Sequence, residues 1–117
     1  MLVINNDDVM SLLDMADCIK VQEASFLGLD DGSSSHRPRI DMYVPCERQD
    51  GYWRWGTMEG ATSVPGPYFA IRMKSDVITW TTDDSSGLQR EDKYCVSPGT
   101  YCGLIMVFST RDGKPLA

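Results

Sequence analysis

The segment of residues 68–80 constrains the fold more than any other, because apolar and polar side chains alternate along it. Successive side chains of a β-strand point to opposite faces, so this alternation predicts a long strand. Its odd positions are apolar and its even positions include three charges, respectively Phe69, Ile71, Met73 and Val77, and Arg72, Lys74 and Asp76. We therefore expect the odd face to be buried in a core and the even face to present charged groups.

Three other segments are predicted as strands, namely residues 39–44, 52–58 and 101–109. The apolar face of the first consists of Ile40, Met42 and Val44. The polar residues 81–93 are predicted as a long connection before the last strand. The Asp112-Gly113 pair accepts the positive backbone angles of a tight hairpin turn, after which the returning strand has only begun at residues 115–117.

Two helices are predicted before the first strand. Residues 5–13 favour a short helix that Asn5, Asn6 or Asp7 can cap. A longer helix runs from about Asp14 to Gly32, with an apolar stripe at helical spacing formed by Met15, Ile19, Phe26 and Leu29. The expected fold is therefore α+β, with two N-terminal helices on a curved, mainly antiparallel sheet.

The composition limits the partners of the chain. Its 117 residues suffice for one small domain, and its formal net charge is -6. An acidic surface repels phosphate backbones and anionic lipids, so neither nucleic acid nor a membrane is an expected partner. The apolar runs are too short to span a bilayer, and the N-terminus lacks the basic region of a signal peptide. A cytoplasmic location is therefore expected.

Metal and phosphate sites have no local signal. The four cysteines, Cys18, Cys46, Cys95 and Cys102, show no paired spacing, so reduced, partly buried thiols are expected. His36 is the only histidine and is expected in a serine-rich loop, which argues against a metal site. The chain has neither Gly-x-Gly-x-x-Gly nor a Walker-type loop, so its residues suggest no place for a pyrophosphate.

The charged face of the long predicted strand is the strongest candidate site. Arg72 and Lys74 project from the same side of that strand, and Arg39 lies opposite the apolar face of another. If both strands belong to one sheet, the three cations converge, and guanidinium groups bind a carboxylate through paired hydrogen bonds. A buried lysine can also serve in acid–base chemistry. The alternative is that these residues line the solvated face of a half-buried sheet.

The order of these segments resembles the beginning of the ornithine cyclodeaminase/mu-crystallin family. The resemblance rests on the helix pair, the Pro38-Arg39 step, the Phe69-Ala70-Ile71-Arg72 strand, and the apolar strand followed by Asp112-Gly113-Lys114-Pro115-Leu116-Ala117. It covers nearly all of the chain. Each motif is weak alone, and the resemblance lies in their order and spacing.

The resemblance implies two domains, of which residues 1–117 are the incomplete N-terminal, substrate-binding and dimerisation part. NAD or NADP would be bound by a Rossmann portion absent from this chain. By the resemblance, Arg39 holds the substrate carboxylate. Arg72 falls where the family has a catalytic lysine, and since arginine does not exchange protons near neutral pH, Lys74 is the candidate catalytic residue and Arg72 a substrate-binding one.

The expected function is therefore the substrate side of an NAD(P)-dependent oxidoreductase or cyclodeaminase acting on an amino or imino acid, inactive alone. Its partners would be the Rossmann portion or a second chain, and the complete protein would be a homodimer. Residues 1–117 alone are expected to be poorly soluble or oligomeric, because the last strand would have an open edge. The alternative is a non-catalytic, crystallin-like protein that binds a small ligand or another protein.

Overall fold

A computed structural model of the chain describes residues 1–64, 66–94 and 103–117. Within these residues the elements are α1 (Asn6–Leu12), α2 (Met15–Asp31), β1 (Ser34–Pro45), β2 (Gly51–Thr62), β3 (Tyr68–Thr82), β4 (Gln89–Tyr94) and β5 (Leu104–Ser109). The strands form an antiparallel sheet in the order β1-β2-β3-β4, and β5 also pairs with β3. The predicted α+β fold, with two N-terminal helices on a sheet, is confirmed.

Side-chain caps determine where the helices begin. Asn5 accepts the N–H of Asp8 at 3.0 Å, and the Asp8 carboxylate accepts the N–H of Asn5 at 2.9 Å, so α1 opens with a capping box. Asp14 caps α2 by accepting the N–H of Asp17 at 2.8 Å. Gly32 ends α2 at φ 77°, as predicted. The expected serine-rich loop around His36 is wrong, because β1 already begins at Ser34. In the described part of the chain, neither helix is long and apolar enough to cross a membrane.

The chain divides into two compact units. The first consists of Met1–Pro38, Glu59–Ile71 and Ile105–Ala117, and the second of Arg39–Met58 and Arg72–Leu104. Both helices belong to the first unit, whereas β4 belongs to the second. Each unit has its own packing.

In the first unit, α2 approaches the sheet through small residues. Gly28 is the only buried residue of this 17-residue helix. A Cβ atom at Gly28 would lie 2.5 Å from Ser34 Oγ and 2.7 Å from Ser33 Oγ, so the helix backbone is close to the start of β1. The larger apolar side chains of α2, including Met15, Ile19, Phe26 and Leu27, are exposed. The predicted apolar stripe is therefore not the surface that α2 buries.

The hairpin after β5 forms as predicted. Gly113 has a φ of 73°, and the N–H of Ser109 donates to the carbonyl of Lys114 at 2.9 Å. The N–H of Leu116 donates to the carbonyl of Val107 at 2.8 Å. Residues 114–117 thus pair with β5 at Val107 and Ser109, as expected for the start of a returning strand, and the open edge expected along the rest of this strand stays a prediction. The predicted start of this strand, residues 101–102, lies outside the described residues.

The expected long connection at residues 81–93 is instead a second hairpin. β3 continues to Thr82, and β4 pairs with it in a register that runs from Val77 opposite Tyr94 to Thr82 opposite Gln89. Asp83 organises the turn by accepting the backbone N–H groups of Ser85 and Ser86. β4 carries polar or charged side chains on both faces, so it lacks the alternation that identifies a half-buried strand.

The burial of β3 differs from the expected pattern. Asp76 and Ile78 are its two buried residues, and both lie on the even face. The apolar residues of the odd face are only half-buried. Ile40, Met42 and Val44 of β1 are exposed as well. In the second unit, the more deeply buried face is therefore the charged one.

We predict that Gly32→Ala destabilises the chain by about 1 kcal/mol, because an L-residue with a Cβ is strained at positive φ. No heavy atom lies within 4 Å of a Cβ at this position, so the loss would reflect backbone conformation rather than a clash. Urea unfolding followed by circular dichroism measures the change. Gly32→Asn is the control and should lose less, because asparagine tolerates the left-handed conformation; equal stability of the alanine variant would contradict the prediction.

Candidate functional site

The candidate site is the surface of β2 around Gly56, in the second unit. Arg54, Gly56 and Met58 alternate along β2 and so lie on one face. Arg54 contacts Asp76 at 2.6 Å, and Arg72 Nη1 lies 3.7 Å from the Met58 sulfur. The two contacts show that β2 and β3 run in opposite directions.

The same register places Lys74 opposite Gly56. Lys74 is two residues before Asp76 on β3, just as Gly56 is two residues after Arg54 on β2. Gly56 is buried although it has no side chain, so its neighbours must close over its backbone. Arg72 and Lys74, two cations on the same face of β3, thus lie beside Gly56.

On the other side of Gly56, β1 supplies Arg39 and Asp41. Arg39 Nε donates to Asp41 Oδ1 at 2.8 Å. A Cβ atom at Gly56 would lie 2.5 Å from that carboxylate oxygen and 3.5 Å from Arg39 Nε and Nη2. Glycine therefore leaves the space in which a guanidinium-bound carboxylate rests against the β2 backbone.

A buried ion pair lies beside Gly56 on the same face of the sheet. The Arg54 and Asp76 side chains are 4% and 1% exposed, and Arg54 Nη2 lies 2.6 Å from Asp76 Oδ2. Lys74 Nζ is 3.0 Å from Asp76 Oδ1 and forms a second ion pair with this carboxylate. Arg54 Nη1 also lies 3.3 Å from Glu91 Oε1. Arg54 and Lys74 thus share the buried carboxylate of Asp76. Glu91, whose side chain is 37% exposed, is the second carboxylate beside Arg54.

The ionisation of this pair follows from two opposing effects. Burial raises the pKa of Asp76, but the hydrogen bond from Arg54 and the charge of Lys74 outweigh it, so the pKa lies below its usual value. Burial likewise lowers the pKa of Arg54, and hydrogen bonds with Asp76 and Tyr43 reverse this, leaving it raised. Both groups are therefore charged across the physiological pH range.

The structure brings the three sequence-predicted site residues to one face of the second unit. The Arg39 side chain is 41% exposed, and the Lys74 side chain is 10% exposed. Arg72 is exposed, and the hydrogen bond it makes is to a thioether. Their roles in binding or catalysis stay predictions.

Sequence reasoning missed Arg54, Gly56 and Asp41. The signal for the first two was the alternation in β2: Trp53 and Trp55 occupy one face, so the residues between and beyond them occupy the other. The two tryptophan rings stack at 6.2 Å, and Trp53 Nε1 donates to Ser75 Oγ at 2.8 Å. The tryptophan side chains of β2 thus contact each other and the neighbouring strand β3.

The two thiols that the structure describes take no part in this site. Cys18 is exposed and Cys46 half-buried, and both are free, whereas Cys95 and Cys102 lie outside the described residues. Where the structure describes the chain, no group of three metal-binding side chains comes together.

No protein-family model matches the chain, and comparisons with curated proteins and solved structures find no match either. The resemblance to the ornithine cyclodeaminase/mu-crystallin family therefore stays a prediction from the sequence.

We predict that Asp76→Asn lowers the free energy of unfolding by about 3–5 kcal/mol, because it leaves buried cations without their carboxylate. Asp50→Asn is the matched control, since Asp50 pairs with Arg48 at the surface at 3.3 Å, and should cost about 0–1 kcal/mol. Urea unfolding at neutral pH measures both variants. Equal losses would show that the buried pair contributes no more than an exposed one.

The ion pair of Arg54 and Asp76 should also make the free energy of unfolding depend on pH. A carboxyl group with a lowered folded pKa stabilises the fold above its unfolded pKa of about 3.9, and this stabilisation is lost as the pH falls through the folded value. The difference in unfolding free energy between the wild type and Asp76→Asn should therefore shrink below about pH 4. A difference that stays constant with pH would contradict the assignment.

Proposed function

We propose that the face around Gly56 binds a small carboxylate, and that the chain is the substrate side of an enzyme acting on amino or imino acids. The observation that carries the proposal is the carboxylate of Asp41, which Arg39 holds against the backbone of Gly56. This contact supports the proposal, because a ligand carboxylate could approach Arg39 in the same way. The amino- or imino-acid part of the proposal also draws on the family resemblance.

The local charge supports binding of an anion. The face carries the cations Arg39, Arg54, Arg72 and Lys74 against the carboxylates Asp41, Asp76 and Glu91. The positive excess is unusual in a chain of net charge -6. Arg39 and Arg72 are reachable from solvent, and a guanidinium group presents up to five N–H donors. A ligand carboxylate would therefore find donors on both sides of the glycine.

Lys74 is the proposed proton-exchanging residue. Its ammonium group lies beside Asp76, and its side chain is largely buried. Lysine can transfer a proton once its environment is desolvated, whereas arginine stays protonated.

In the proposed enzyme, NAD or NADP would supply hydride transfer, while this chain would orient the substrate. The chain has no glycine-rich phosphate loop, so a Rossmann portion or a second chain would hold the cofactor.

We predict that Arg39→Ala weakens binding of a small carboxylate by about 1.5–3 kcal/mol, because the ligand loses its guanidinium partner at a half-exposed position. Pyruvate and L-proline serve as probes, and binding is followed by amide chemical shifts in NMR titrations at low salt. Arg90→Ala is the control, since Arg90 is an exposed arginine of β4. If both variants bind the probes as the wild type does, Arg39 is not part of a carboxylate site.

A second candidate, a non-catalytic protein that self-associates, is favoured by the exposed apolar side of α2. Met15, Ile19, Phe26 and Leu27 are all exposed there, whereas amphipathic helices generally bury such a stripe. This candidate predicts a homodimer in sedimentation velocity that Phe26→Glu converts to monomers. Val3→Glu, at an exposed position before α1, is the control. A wild type that is monomeric at all concentrations would exclude it.

A further inference from the structure

Arg39 and Asp41 form an unusually incomplete ion pair. They are two residues apart on one strand, and the Arg39 guanidinium donates through Nε alone. Arg37, by contrast, grips Glu59 with both Nε and Nη2 at 2.6 Å, which is the paired geometry that guanidinium and carboxylate prefer. Asp41 therefore neutralises Arg39 without using its full binding capacity.

Asp41 is also weakly held on its other oxygen. Its Oδ2 accepts from Tyr43 Oη at 3.5 Å, the outer limit of a hydrogen bond. The Asp41 side chain is 22% exposed, so water and small solutes reach it. An external carboxylate that offers two oxygens to Arg39 could thus replace Asp41, because it gains a second hydrogen bond that the internal group lacks.

Displacement leaves Asp41 as a free carboxylate beside the bound ligand. An anionic group next to a bound carboxylate repels a second negative charge and attracts a positive one. An α-amino or α-imino acid carries both charges on neighbouring atoms. Its carboxylate would take the place of Asp41 on Arg39, and its ammonium would neutralise the displaced Asp41.

We propose that Asp41 is the specificity-determining residue of the Gly56 site: it competes with simple carboxylates for Arg39, and it binds the ammonium group of a zwitterionic ligand. This rests on the proposed function, because it needs carboxylate binding at Arg39. It adds to the proposed function that Asp41 is the group that recognises the ammonium of an amino- or imino-acid ligand. No bond to the ligand is made or broken in this step.

The test compares L-alanine with propionate, which differ in the ammonium group. The full chain is titrated with each probe at low salt, and amide shifts of β1 and β2 are followed by NMR. The wild type should bind L-alanine at least about tenfold more tightly than propionate, since one charge-assisted hydrogen bond is worth roughly that factor. Asp41→Asn should bind propionate more tightly and L-alanine more weakly than the wild type, so that the preference disappears.

Two further variants make each outcome decisive. Asp50→Asn, the surface carboxylate used above, should leave the preference unchanged, and Asp41→Ser replaces Asp41→Asn if that variant does not fold. If the wild type and Asp41→Asn show the same preference while Arg39→Ala weakens both probes, the carboxylate site stands and the role of Asp41 is overturned. If neither probe binds the wild type, the proposed function falls and this inference with it.

Discussion

The arrangement of the second unit depends on the buried pair of Arg54 and Asp76. Each charge would be strongly unfavourable alone in that environment, so the strands that carry them must come together in one register. That register places Gly56 opposite Lys74 and Met58 beside Arg72. The candidate site is thus a consequence of how one buried charge on β2 finds its partner on β3.

Ion pairs of two kinds therefore meet on this face. The pair of Arg54 and Asp76 is nearly inaccessible to solvent. The pair of Arg39 and Asp41 is accessible, uses one nitrogen of the guanidinium, and rests on a glycine. A binding site needs both properties, because fixed groups preserve the geometry while exchangeable ones make room for a ligand.

Much of the fold could be predicted from the sequence, because periodicity and capping residues act locally. Asn5, Asp14 and Gly32 mark helix ends by side-chain or backbone chemistry that is visible in the sequence.

β4 was missed because both of its faces are polar. The burial of Asp76 was missed for a different reason: alternation shows which residues share a face, but only the register of β2 against β3 shows that Arg54 neutralises that carboxylate. For the candidate site, alternation placed Arg72 and Lys74 together, whereas the contribution of Asp41 and Gly56 depends on distances between strands.

The contact of α2 with the sheet through Gly28 has a consequence for how the first unit opens. A helix that approaches through a glycine and neighbouring serines gains little apolar burial, so few contacts are lost when it separates. The amide hydrogens of α2 should accordingly exchange with solvent through a local opening of low free energy. Those of β3, which is hydrogen-bonded to neighbouring strands, should exchange only when the sheet itself unfolds. The helix and the sheet would thus behave as separate cooperative units within one small chain.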